Sequence, residues 1–110
     1  MLIAERSLRI KSSTDDVEVP ISIYLPREID GAWLCKFTIE WPDGEIQMDA
    51  SGSDSVQAIE LALKMIGALL YASDHHAAGK LMWLEPAQGY GFPVTNNLRD
   101  MLIGEDKKFF

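Results

Sequence analysis

The apolar residues of this chain change period once. Up to residue 52 they recur at every second position, and from Asp54 onward they recur at helical spacing. A strand sends successive side chains to opposite faces, whereas a helix repeats about every 3.6 residues. The first half is therefore committed to strands with one buried face, and the segment after it to a helix. Leu8 and Ile10 mark the first strand, with Ser7, Arg9 and Lys11 facing the other way. Val17, Val19, Ile21, Ile23 and Leu25 form the apolar face of the second, and Trp33, Cys35, Phe37, Ile39 and Trp41 that of the third. Ile46, Met48 and Ala50 form that of the fourth. The connections "SSTDD", "PREIDG" and "WPDGE" are built from turn and loop residues, which makes the strands an antiparallel meander. Pro20 has no N–H to give a ladder, which places the second strand at or near an edge.

Asp54 followed by Gln57 is a variant capping box, and a helix is predicted from there to about Ala72. Its polar positions, Gln57, Glu60, Lys64, Gly67 and Tyr71, make one narrow stripe. The remaining apolar face is wider than the roughly 100° that an ordinary surface helix buries. Either the C-terminal segment or a second protein must cover its flanks. "KLMWLE", residues Lys80 to Glu85, is predicted to be a fifth strand and "PAQGYG" a loop. "NNLRDMLIG" reads as a short helix capped by Asn96 or Asn97 and stopped by Gly104, ahead of a charged and then aromatic tail, "EDKKFF". With no repeat or linker, residues 1–110 are predicted to form a single α+β domain. Its antiparallel sheet has four to five strands, packed by one long apolar helix, with a short C-terminal helix.

Charge narrows the partners. Ten basic against seventeen acidic residues give a formal charge of −7, which repels a phosphate backbone and attracts a basic protein surface. Asp15, Asp16, Glu18, Glu45 and Asp49 fall on turns or outward strand positions, so a solvated negative sheet face is expected. No apolar run approaches the roughly 18 to 20 residues of a membrane helix. Glu5 and Arg6 come too early for a signal peptide. A cytoplasmic location is the expectation, and the single cysteine, Cys35, agrees with a reducing compartment. Cys35 lies mid-strand on the apolar face and reads as a small hydrophobe, while Trp33, Trp41 and Trp83 are assigned to the core.

Candidate chemistry gathers in "YASDHHAAGKLMWLEPAQGYGFPV", residues 71 to 94. Asp74, His75 and His76 resemble the aspartate-histidine-histidine triplet of a phosphoesterase superfamily, but a two-metal site needs further carboxylates. Consecutive helical residues also point about 100° apart, so the histidines do not converge on one ion. Neither a metal nor another cofactor is expected. "GYG" is too short for a dinucleotide fingerprint and reads as a bend, with Tyr90 and Phe92 capping the core. No nucleophile elbow, phosphate loop or paired CxxC occurs, no catalytic residue is assigned, and the reading favours a protein that is not an enzyme. The candidate binding residues are Tyr71, Asp74, His75, His76, Lys80 and Tyr90, with Lys80 able to face Asp74, and Arg99 the local Asp100. Losing both histidines is expected to affect stability little, and losing the Trp83 ring to cost a core-sized amount.

The stretches "GAWLCKFTIEWPDG", "AIELALKMIGALLYASDHHAAGKLMWL", "GYGFPV" and "NLRDMLIGED" together resemble a family of small bacterial proteins known as a domain of unknown function. The resemblance implies a free-standing bacterial protein of one domain, and no residue roles. Size, acidity and the α+β pattern are also similar, by class, to the immunity proteins of bacterial toxin systems. The leading expectation is a non-enzymatic, acidic protein-binding module, with an immunity-type inhibitor of a basic toxin as one form. The alternatives are a small-molecule or metal-binding protein using the Asp74-His75-His76 turn, and a structural homodimer.

Overall fold

Strand and helix meet where the period changes. The computed structural model describes all residues 1–110, with β1 at Leu2–Lys11, β2 at Asp16–Tyr24, β3 at Arg27–Ile29, β4 at Ala32–Trp41 and β5 at Gly44–Gly52. These lead into α1 at Ser55–Tyr71, α2 at Asp74–Ala77 and β6 at Leu81–Met82. A 3₁₀ helix at Asn96–Met101 and α3 at Asp106–Phe109 complete the chain.

The six strands make one antiparallel sheet. β5 runs along β4 from Trp33 opposite Gly52 to Trp41 opposite Gly44. The other edge of β4 is shared, by β3 at Ala32–Leu34 and by β2 at Phe37–Ile39. β2 continues to β1, and β1 to the short β6 at Arg9 and Ile10.

Three expectations about the strands are corrected by this layout. Pro20 does not mark an edge, because β2 lies between β1 and β4; instead the β2–β4 ladder covers Ile21 to Ile23 and stops at the proline, which has no donor to extend it. The "PREIDG" loop contains β3, turned back onto β4 by Asp30 and Gly31, both at positive φ (51° and 82°) as a two-residue hairpin turn requires. The predicted fifth strand shrinks to Leu81–Met82, so the sheet has six strands where four to five were expected.

The predicted inner face is largely the observed one. Leu8, Ile10, Val19, Ile21, Ile23, Cys35, Phe37, Ile39 and Ala50 are all buried in one core with α1, whereas Val17, Leu25 and Met48 at the margins are exposed. The three tryptophans are half-buried at the border of the core rather than inside it. The sheet face away from α1 is of mixed charge instead of uniformly negative, since Arg9 pairs with Asp16 at 2.7 Å and Arg27 with Asp49 at 3.1 Å. Such exposed pairs contribute little to stability, and they locally neutralise the acids expected there.

The start of α1 follows its sequence signature. The Asp54 carboxylate accepts from Gln57 N at 2.8 Å, and the Gln57 side chain accepts in turn from Ser53 N at 2.6 Å, one residue earlier than the standard reciprocal bond. The Glu60–Lys64 pair forms at 2.9 Å. The expected polar stripe is broken, however: Gly67 and Tyr71 are buried with Ala58, Ala62, Ile66 and Leu70. The apolar face is not uniformly covered either, as Val56 is 70% exposed. The segment after β6 lies over Gly67, where an added Cβ would meet the Pro93 carbonyl and Val94. The chain itself therefore covers this flank of the helix. The later helix is a 3₁₀ turn after Thr95, which makes no side-chain cap bond, and it ends at Met101 before reaching Gly104.

Candidate functional site

The end of α1 and the start of α2 set the geometry. Ser73 donates to Leu70 O (2.7 Å) and accepts from His76 N (3.1 Å), so it closes one helix and caps the next. The two histidines then diverge, as their spacing predicts. His75 stacks on Trp41 with ring centroids 5.1 Å apart, and its Nε2 lies 3.7 Å from Asp43 Oδ1 at the β4–β5 turn. His76 turns toward the other side, 4.8 Å from the Tyr71 ring and 5.6 Å from that of Tyr90.

Of the six residues singled out by sequence, three meet in this way. Tyr71, His76 and Tyr90 form one cluster, whereas Asp74 and Lys80 are exposed, make no ion pair with each other, and stand outside it. Arg99 does not pair with Asp100 but donates to Phe110 O at 2.8 Å. No group of three or more His, Cys, Asp or Glu side chains comes together that could hold a metal ion.

At the centre is a residue that the sequence reading passed over. Asp106, at the start of α3, is 2% exposed, and its carboxylate accepts three hydrogen bonds. Tyr71 OH donates to Oδ2 at 2.5 Å, Tyr90 N to Oδ2 at 2.9 Å and Gly91 N to Oδ1 at 2.9 Å. Ile103 N donates to the Tyr71 oxygen at 3.3 Å, so that hydroxyl is used in both directions. The Gly89–Gly91 bend makes this possible. Both glycines have positive φ (86° and 74°), and a Cβ on Gly89 would run into the Asp106 carboxylate. Burial, and then the negative charge beside them, hold the Tyr71 and Tyr90 phenols protonated well above the usual range. They act as hydrogen-bond donors and not as bases.

Tyr90 OH and His76 Nδ1 lie 2.5 Å apart. With the imidazole neutral, the phenol can donate to Nδ1 while Nε2 carries the ring proton. Burial pushes the His76 pKa below its usual 6.5, so the folded protein takes up this proton less readily than the unfolded chain. The resulting stability is present above about pH 6.5 and is lost as pH falls through the depressed folded value. Urea midpoints at about pH 7.5 and about pH 5.5 should show the decline, and His76→Asn, which can keep an acceptor near the Nδ1 position, should reduce it. An unchanged slope in the variant would mean that His76 contributes none of it.

A second missed residue lies on the other side of the bend. Arg6 shares the inward parity of Leu8 and Ile10, and its guanidinium is stacked 3.8 Å from the Trp83 ring centroid and 4.8 Å from that of Phe92. It donates from Nη1 to Gly91 O at 2.9 Å and to Tyr90 O at 3.3 Å. The bend is thus held through its N–H groups by Asp106 and through its carbonyls by Arg6. Beside it a cleft of about 630 Å³ is lined by Trp83, Leu84 and Glu85, by Gly89 and Gly91 of the bend itself, and by Glu105, Asp106, Phe109 and Phe110.

A family model described as a domain of unknown function, DUF6968, matches residues 4–94. No curated protein and no solved structure matches the chain. Arg6, Tyr71, His76, Tyr90 and Gly91 lie within the matched residues, and Asp106 lies beyond them.

Proposed function

From the premise that the chain belongs to the DUF6968 family, we propose that it is a non-enzymatic, acidic protein-binding module that docks its partner at the cleft between Trp83 and Phe110. One observation carries this reading. Leu84 and Phe109 are each 73% exposed, and both line that one cleft. Exposed large apolar side chains are unremarkable when scattered and informative when grouped. Here they are grouped with half-buried Trp83 and Phe110 and accompanied by Glu85 and Glu105. An apolar centre with a charged rim is the anatomy of a protein interface. The acidic rim and the charge of −7 favour a partner with a basic rim, whose encounter they would accelerate. A basic bacterial toxin held inactive by this protein has that chemistry, and self-association through the same cleft is the other form of the reading.

The test is retention of a partner from a lysate of the source cell on the immobilised protein, repeated with the Leu84→Ser/Phe109→Ser variant. A basic protein should be retained by the native chain, and the double variant should weaken its binding by roughly tenfold or more. Equal retention by both, or retention of nothing, would remove the cleft from consideration; sedimentation of the isolated protein separates self-association from a foreign partner.

A smaller cleft of about 350 Å³, which His75 and Trp41 line with Asp43 and Asp74, supports a second reading as a small-ligand site at the Asp74-His75-His76 turn. Thermal shifts with a ligand panel, lost in His75→Ala and retained in Leu84→Ser/Phe109→Ser, would favour it over the first.

A further inference from the structure

We infer that Tyr71 and the Gly89–Gly91 loop form a carboxylate-receiving site that the chain's own Asp106 fills, and that an acidic segment of another chain, with glycine two residues before its aspartate, can take the same place. The inference stands on the contacts of Asp106, which lines the cleft above together with Gly89 and Gly91, and it does not rest on the basic partner proposed there.

Three donors fixed on two elements converge on one carboxylate. Two are the successive backbone amides of Tyr90 and Gly91, held on one side of the chain by glycines at positive φ. Successive amides arranged this way make a concavity for an anion, and such concavities capture peptide carboxylates. The third donor, Tyr71 OH, comes from the buried end of α1, so the site combines a loop with a rigid wall.

The segment that fills it is read by more than its charge. Glu105 N donates to Gln88 O at 3.0 Å, which sets its backbone against the loop. At Gly104 a Cβ would meet the backbone of Ala87 and Gln88, so the residue two before the aspartate has no room for a side chain. The pattern the site accepts is therefore Gly-x-Asp, preceded by the apolar pair Leu102 and Ile103. Within residues 102–110 only Leu102 and Asp106 are buried, while Glu105 and Lys107 to Phe109 are exposed. Ile103 and Phe110 pack at the border of the core, but no residue of this strap belongs to the sheet, so it can open locally without unfolding the strands. When it lifts, Tyr71 OH and the Tyr90 and Gly91 amides are left to water, which another carboxylate can displace.

The probe is a labelled peptide with the sequence of residues 103–110, titrated into full-length Asp106→Gly, in which the carboxylate is missing and the loop is intact. Saturable binding is expected, weakened about tenfold or more by an aspartate-to-asparagine change in the peptide or by Tyr71→Phe in the protein. Acetate should also raise the urea midpoint of Asp106→Gly above that in chloride at equal ionic strength. If Asp106→Gly does not fold, Asp106→Ala, which also leaves the carboxylate position empty and suits a helix better than glycine, takes its place in the same titration. In the native protein, the Tyr90 and Gly91 amides should exchange with solvent faster than those of Ile21 and Phe37 in the central strands. Absence of peptide binding, or amide protection at the loop equal to that of the strands, would overturn the proposal.

Discussion

Asp106→Ala is expected to lower the free energy of unfolding by about 4 kcal/mol. The substitution removes the acceptor of three hydrogen bonds, from Tyr71 OH, Tyr90 N and Gly91 N, at a side chain that is 2% exposed. Each buried donor left without a partner costs about 1 to 3 kcal/mol, and the hydroxyl can partly recover through a water molecule, which brings the sum down from its upper limit. The whole stability of such a domain is about 5 to 15 kcal/mol, so the variant would lose a large part of it. Asp106→Asn should cost less, because its carbonyl oxygen can still accept, although its NH₂ would face a donor. Urea unfolding followed by circular dichroism measures both. A change below about 1 kcal/mol for Asp106→Ala would mean that these donors find water or another acceptor with little loss.

Gly67→Val is expected to cost about 3 kcal/mol, and Gly67→Ala about 2, against the usual direction for a glycine inside a helix. In an open helix, replacing glycine by alanine gains up to about 1 kcal/mol. At Gly67 the added Cβ would collide with the Pro93 carbonyl oxygen and sit 3.1 Å from Val94 Cγ1. The obstacle is backbone, flanked by the buried side chains of Phe92 and Val94, so it cannot withdraw without disturbing the core. Thermal or urea unfolding of the two variants gives the sign directly. If Gly67→Ala were more stable than the native chain, residues 93–94 would not lie on the helix as described.

The parts of the fold that could be read from the sequence are those whose pattern is local. β4 and β5 show a two-residue period and are joined by Pro42 and Asp43, so strands and turn agree. The Asp54 cap and the divergence of His75 from His76 likewise follow from residues within a few positions of one another. β3 has three exposed residues and no apolar face to give it away; the Asp30-Gly31 pair was its one signal. Gly67 falls in the polar stripe by spacing and is buried in the structure; a missing side chain looks the same in a sequence whether it faces water or another backbone.

The candidate site was legible in half. Tyr71, His76 and Tyr90 stood out as polar aromatic groups in an apolar stretch, and the structure brings them together with Asp106. Asp106 did not stand out, because its partners lie 15 to 35 positions away and two of them are backbone N–H groups that nearly every residue possesses. Arg6 could have been found had the first strand been extended to Leu2, since a charge at inward parity with Leu8 and Ile10 needs an explanation. Its neighbours Trp83 and Phe92 supply one: the guanidinium covers part of the Trp83 ring, which stays partly open where it lines the cleft.

The bonds from Arg6 to the glycine bend cross 84 and 85 positions of chain. Closing a contact of that span is least favourable while the intervening polypeptide is still disordered, because loop-closure entropy rises with length and is not offset until the ends meet. The β4–β5 hairpin and α1 can assemble early from neighbouring residues, while the joining of the first strand to the bend belongs to the last stage of folding. Interactions made that late are absent from the transition state, so they act chiefly on how slowly the native protein comes apart. Arg6→Gln is therefore expected to speed unfolding more than it slows folding, as the two arms of a chevron would read, at a residue beside the segment on which the proposed binding depends.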